Sequence, residues 1–158
     1  MSANIETLTQ ETLLTDQQKW GTFLACTHAT GYPPLVNAVE AEVASRISNQ
    51  AADAARGAAA VMAMNNVYYR FTHIAKNGNA YAKLPAKLKM KVISEHGIEK
   101  VDFELFSLAV SAINGCGLCV DAHERVLLQH GVTTETIQTT VRIGSVIDAL
   151  AKVHSATH

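Results

Sequence analysis

The sequence is short of several things, and each shortage removes a class of function. It has no excess of either charge: 13 Lys and Arg stand against 14 Asp and Glu, for a net charge of −1. A dedicated nucleic-acid surface needs clustered Lys and Arg, so no nucleic-acid partner is expected. No apolar run approaches the roughly 18 residues of a membrane-crossing helix, so no membrane association is expected. Residues 1–10 lack the basic and apolar regions of a secretory leader, and the expected compartment is the cytoplasm. Three cysteines are too few for a secreted disulfide framework. We find no run of alternating residues bounded by hairpin turns, so no sheet is expected.

What is present is a helical pattern. Hydrophobic residues make up 48% and charged residues 17%, which suits a packed core. A chain of 158 residues fits one domain, 1–158, burying roughly 70% of its unfolded surface. Residues 1–14 show no clear period and read as a loosely ordered segment that trails or docks on a neighbour. Thr15 or Asp16 can cap a first helix, with Gln18 at the reciprocal position. That helix carries Trp20, Phe23, Leu24 and Thr27 inward and stops by Gly31. Val36, Val39, Val43 and Ile47 recur at helical steps and predict a second helix over 34–47.

Residues 49–76 form the longest periodic stretch. Its first half, 51–60, is built of small residues that permit close helix contact. Asn65 and Asn66 read as a helix irregularity or a capping pair, with a role in lining a site or a subunit contact as the alternative. Residues 84–96 read as a short basic helix, with Lys83, Lys87, Lys89 and Lys91 outside and Leu88, Met90 and Val92 inside. These lysines are expected to be a solvated face. Residues 101–114 predict a strongly apolar, central helix whose polar exceptions, Glu104, Ser107 and Ser111, share one stripe. A helix from about 116 to 131 and a last one over 135–154 complete an all-α fold of six or seven helices.

The chemistry is expected at Cys116-Gly117-Leu118-Cys119, with His123 four residues beyond the second cysteine. A c-type haem site needs histidine directly after that cysteine, and position 120 is Val. A thioredoxin-like site needs a strand before the first cysteine, and none is expected. Cys116, Cys119, His123 and Glu104 could hold zinc by ligand type, but a structural zinc site usually has a second ligand pair. The thiol–disulfide reading explains more, and it needs neither metal nor cofactor. A helix N-terminus favours a thiolate, and a histidine at i+4 lies on the same face as the second thiol. Cys119 is therefore the better candidate for attack on a peroxide, leaving a sulfenic acid that Cys116 resolves to a disulfide.

Glu104 on an apolar helix is costly unless bonded, and it could orient His123. If the next helix folds back, Glu104 meets His123 more readily than Cys116, so a relay is expected rather than a direct Glu–Cys contact. Cys26 reads as a small buried hydrophobe. His28, His73, His96, His130, His154 and His158 show no ligand spacing.

Glu104, Cys116, Cys119 and His123 match the spacing of the alkylhydroperoxidase D family, which the chain resembles. So do Trp20-Gly21-Thr22, Met64-Asn65-Asn66-Val67, Phe103-Glu104-Leu105 and 109–116, so the resemblance spans nearly the whole chain. It implies an all-helical fold assembled as a homotrimer and an enzyme that reduces hydroperoxides. It further implies a partner peroxiredoxin, the C subunit of alkyl hydroperoxide reductase. Its reductant would be dihydrolipoamide carried on a lipoylated 2-oxo acid dehydrogenase component. Cys119 would form the sulfenic acid, Cys116 would be proton donor and resolving thiol, and Glu104 and His123 would complete the proton relay. In one respect the chain departs from the family: Leu118 stands where well-known members have a histidine. The broader superfamily also contains decarboxylases without the cysteine pair, and Cys116 and Cys119 argue against that activity. A thiol–disulfide carrier and a zinc module remain the alternatives.

Overall fold

A computed structural model describes residues 2–156; the ends of the expected 1–158 domain, and His158 with them, lie outside the described residues. Among the described residues eight α-helices follow one another: α1 (Ser2–Thr9), α2 (Asp16–Thr30), α3 (Pro33–Val43), α4 (Asn49–Ile74), α5 (Gly78–Ala82), α6 (Lys100–Ile113), α7 (Gly117–Gln129) and α8 (Thr134–Ser155). A single 3-10 turn, Lys91–Ile93, precedes α6, and no strand occurs among the described residues. The fold is all-α. None of the described helices is long and apolar enough to cross a membrane.

Local chemistry sets the helix ends. Thr15 accepts from the backbone N–H of Gln18, and Gln18 returns a side-chain bond to the Thr15 backbone, so two otherwise orphaned donors are satisfied. Ser48 and Thr133 cap α4 and α8 in the same single-bonded way. Gly31 ends α2 with φ of 65°, a left-handed conformation that glycine adopts without a Cβ penalty.

Helix α6 is the hub, packed against α2, α4, α7 and α8. Phe103, Leu105, Phe106, Leu108, Ala109 and Val110 are all buried. Such side chains each contribute about 1.5–3 kcal/mol on leaving water. Helix α2 lies so close to α6 that a Cβ on Gly21 would fall 2.1 Å from Phe106 Cζ. The alanines at 51, 52, 54, 55, 58 and 59 are buried on α4, which packs on α2 and α6. The small-residue surface thus serves contacts within the chain.

Two segments differ from expectation. Residues 2–9 are helical rather than loose; Leu8 and Leu14 are buried, and α1 packs on α8. Two apolar anchors suffice to dock a segment too short to show a period. Residues 84–96 hold no α-helix, only the 3-10 turn. Pro85 disfavours helical backbone at Leu84, and Lys87 has φ of 54°. From Ala86 to Val92 burial alternates residue by residue, the period of an extended chain. Lys87, Lys89 and Lys91 still face outward, while Leu88, Met90 and Val92 turn inward. The two faces were legible although the helix was not. Helix α3 also stops four residues short of the expected end.

Candidate active site

The site is built on the α6–α7 hairpin. Gly115 has φ of 66°, which reverses the chain at a conformation costly for any residue with a Cβ. Cys116 then donates its backbone N–H to Ser111 O at 3.1 Å and becomes the N-cap of α7. Its sulfur accepts from the Cys119 backbone N–H at 3.3 Å. Cys119 therefore lies in the first turn of α7, where free N–H groups stabilise negative charge. Cys116 and Cys119 are joined as a disulfide. Cys116 is wholly enclosed and Cys119 is 7% exposed, so Cys119 is the sulfur that a small molecule reaches first.

One turn along α7, His123 faces back toward α6. Its Nδ1 lies 2.6 Å from Glu104 Oε2, and both side chains are largely enclosed. The antiparallel hairpin thus brings Glu104 to His123, as expected from helix rise alone. The other imidazole nitrogen, Nε2, lies 3.3 Å from Met62 Sδ on α4. The imidazole is held on both edges, so its ring plane is fixed. Glu104 is 8% exposed; a carboxylate so enclosed requires the partner it has.

A cavity of about 350 Å³ opens over this pair, lined by Met62, Asn65, Tyr69, Met90, Ile93, Leu118, Cys119, Ala122 and His123. Its walls are chiefly apolar, with the Cys119 sulfur and the His123 imidazole among them. Leu118, at the position where the resemblance expects histidine, contributes apolar wall. Met90 and Ile93 come from the irregular segment before α6, so the misread stretch closes one side of the site.

Behind the hairpin, Asn66 is 1% exposed. It donates from Nδ2 to Ser111 Oγ at 2.9 Å and accepts at Oδ1 from Asn114 Nδ2 at 2.9 Å. Arg70 donates to the carbonyl of Asn114. These bonds fix the last turn of α6 just ahead of Gly115 and Cys116. Asn66 is thus a positioning residue, neither a helix irregularity nor a cap. Its adjacent pairing with Asn65 was the sequence signal; the partners lie 45 and 48 residues away and left no local trace. Met62 carried no signal at all.

Cys26 and His28 separate from the site. Cys26 is fully buried, and burial pushes its thiol well above the ordinary thiol range, which leaves it inert. His28 pairs with Glu40. Among the described residues no group of three or more His, Cys, Asp or Glu side chains is placed to hold a metal ion.

An all-helical frame that presents a dithiol–disulfide couple beside an enclosed imidazole–carboxylate pair defines a thiol-dependent oxidoreductase. Residues 79–158 match the carboxymuconolactone decarboxylase family. An alkyl hydroperoxide reductase AhpD from Rhizorhabdus wittichii is 61% identical over 152 residues, covering 96% of this chain and 87% of that protein. Proteins of the same name from Maricaulis maris and Hyphomonas neptunium are 53% and 54% identical, covering 99% and 97% of this chain and 90% and 84% of their own lengths. The chain belongs to the carboxymuconolactone decarboxylase family, and within it to the AhpD proteins. The family stretch includes Glu104, Cys116, Cys119 and His123 but begins after Met62, Asn65 and Asn66, so the α4 wall lies outside it.

Proposed function

We propose that this chain, a peroxide-reducing oxidoreductase by its family, reduces alkyl hydroperoxides through Cys119 and Cys116. The observation that carries the reading is Cys119 at the floor of an apolar cavity, one helical turn from an imidazole bonded to a carboxylate. In the reduced protein the Cys119 thiolate attacks the terminal oxygen of ROOH. The O–O bond breaks, an S–O bond forms, and RO⁻ leaves as Cys119–SOH forms. The proton that makes ROH comes from His123, held by Glu104, and is relayed through Cys116 as proton donor. Cys116 then attacks the sulfenic sulfur, releasing water and closing the disulfide. An external dithiol restores both thiols, entering at Cys119 because Cys116 is enclosed.

The apolar walls favour an organic peroxide over hydrogen peroxide, since an alkyl group there leaves water at about 25 cal/mol per Å². The reductant in this reading is dihydrolipoamide on a 2-oxo acid dehydrogenase component. The partner is a peroxiredoxin of the alkyl hydroperoxide reductase C type, and the protein works in the cytoplasm as a homotrimer. The reductant, the partner and the trimer rest on family resemblance.

The test is turnover of cumene hydroperoxide with dihydrolipoamide, then with a peroxiredoxin added. Cys119→Ser should abolish turnover, and full activity in that variant would sink the reading. Rapid disulfide exchange beside negligible peroxide turnover would instead identify a thiol–disulfide carrier. A monomer by sedimentation would remove the trimer.

A further inference from the structure

Asn65 stands in the cavity wall with Met62, Tyr69, Cys119 and His123. It is 5% exposed, and its side-chain oxygen makes no hydrogen bond. Among the described residues the other buried side-chain oxygens without a partner are the hydroxyls of Thr27, Ser107 and Thr139, and none of these lines the cavity. A buried amide without a partner is costly. Its neighbour Asn66, one residue on, is bonded at both ends of its amide, so the helix could satisfy such a group where structure required it. The two nitrogens of His123 already face Glu104 and Met62. The cavity therefore holds one enclosed amide whose hydrogen-bonding capacity is unused by the protein.

We infer that Asn65 is the hydroperoxide-binding residue of this site, its amide oxygen accepting the O–H of the incoming ROOH and its N–H₂ donating to the peroxide oxygen that leaves as alkoxide. The inference rests on the proposed peroxidase reading and adds a substrate contact to it. The amide matches the group in both senses, because a hydroperoxide carries one donor and two acceptor oxygens. As Cys119 attacks, charge moves from sulfur to the alkoxide oxygen, and a preplaced N–H strengthens its bond as that charge grows. The proton that neutralises the alkoxide comes from His123, so Asn65 changes no protonation state. The reducing half-reaction involves no oxygen atom and should not need the amide.

The test uses Asn65→Leu, close in shape and without polar atoms, alongside Asn65→Ser and Cys119→Ser. Stopped-flow oxidation of the prereduced protein by cumene hydroperoxide should slow about 10- to 100-fold in Asn65→Leu. It should slow less in Asn65→Ser, which keeps a hydroxyl. Reduction of the disulfide by dithiothreitol should run at the parent rate in both. Thermal stability of Asn65→Leu should match or exceed the parent, because an unpaired buried amide has been removed. Parent-rate oxidation in Asn65→Leu overturns the inference. So does a lowered melting temperature with both half-reactions slowed alike, which would make the amide structural. Turnover surviving in Cys119→Ser would refute the peroxidase reading itself, whereas an inactive Cys119→Ser beside a fully active Asn65→Leu refutes only the role of Asn65.

Discussion

The α6–α7 hairpin and the segment joining α5 to α6 both border the cavity, yet they are made in opposite ways. The hairpin is specified locally. Gly115 turns it, Cys116 caps it, and the i+4 spacing of Cys119 and His123 stacks the two on one helix face. The segment over 83–99 has only a 3-10 turn of its own. It is held by what it lies on: Val92 fills the space a Cβ on Gly57 would need, 2.7 Å from its Cγ2. In the proposed reading the hairpin carries the reacting atoms, and the segment carries apolar wall. That reading places chemistry on the locally specified element and the substrate boundary on the one held by its neighbours. If that division is correct, damage to the hairpin should lower the rate of the chemical step, and damage to the segment should alter which peroxide is accepted.

The largest effect is expected within the hairpin. His123→Gln should slow sulfenic acid formation by about 10²–10⁴-fold, the usual contribution of a positioned acid or base. Glu104→Gln should do less, since the imidazole keeps a hydrogen-bonding neighbour. Stopped-flow oxidation reads both, and far-UV circular dichroism checks that the helices survive. A wild-type rate in His123→Gln would separate the imidazole from the chemistry. Next comes Gly115→Ala. Holding alanine at φ of 66° costs about 1–2 kcal/mol, so the melting temperature should fall by about 2–8 °C. Open space surrounds that position, so the loss would report backbone strain alone.

Smaller effects belong to the segment. Met90→Ala and Ile93→Ala remove cavity wall without touching sulfur or imidazole. KM for cumene hydroperoxide should rise about three- to tenfold while the value for hydrogen peroxide stays level, because only the bulky substrate loses apolar contact. A fall in kcat for both peroxides alike would erase the distinction between the two regions, placing the segment in the catalytic machinery.

The same division explains what was legible beforehand. Capping at Thr15, the stop at Gly31 and the apolar face of α6 follow from spacings of a few residues, whereas the Glu104–His123 meeting, 19 residues apart, follows from helix rise once the chain folds back at Gly115. The bonds of Asn66 to Ser111 and Asn114 join α4 to the end of α6, and no local period encodes such a partner. Met62 reached His123 across 61 residues and looked like any other core methionine. Residues 86–92 did carry a signal, strict alternation of Lys with Leu, Met and Val. Three lysines in the stretch made a basic helix plausible, although Pro85 and the period of two opposed it. Docking of α1 rests on Leu8 and Leu14, two residues within a polar stretch.

A last contrast sets both regions against the frame that carries them. Glu40 on α3 bonds Arg56 on α4 at 2.8 and 2.6 Å and His28 on α2 at 2.7 Å. The Arg56 guanidinium, and after it His28, hold the Glu40 carboxyl down to about 2 from an ordinary 4.5. A carboxyl depressed on folding adds stability that is fully present above its unfolded value and is lost as pH falls through its folded one. The contribution should therefore be intact above about pH 4.5 and disappear toward pH 2. Arg56 is 40% exposed, so solvent screening limits the pair to about 0–1 kcal/mol. Glu40→Gln should lower the melting temperature slightly at neutral pH and flatten its decline across that acid window, an effect that weakens in high salt. Because the cluster touches neither hairpin nor cavity wall, the variant should keep parent kcat and KM at pH 7. An unchanged acid limb would show that the pair contributes nothing to stability. A shift in KM would show that the α2–α3–α4 frame reaches the cavity through α4, which packs on both regions.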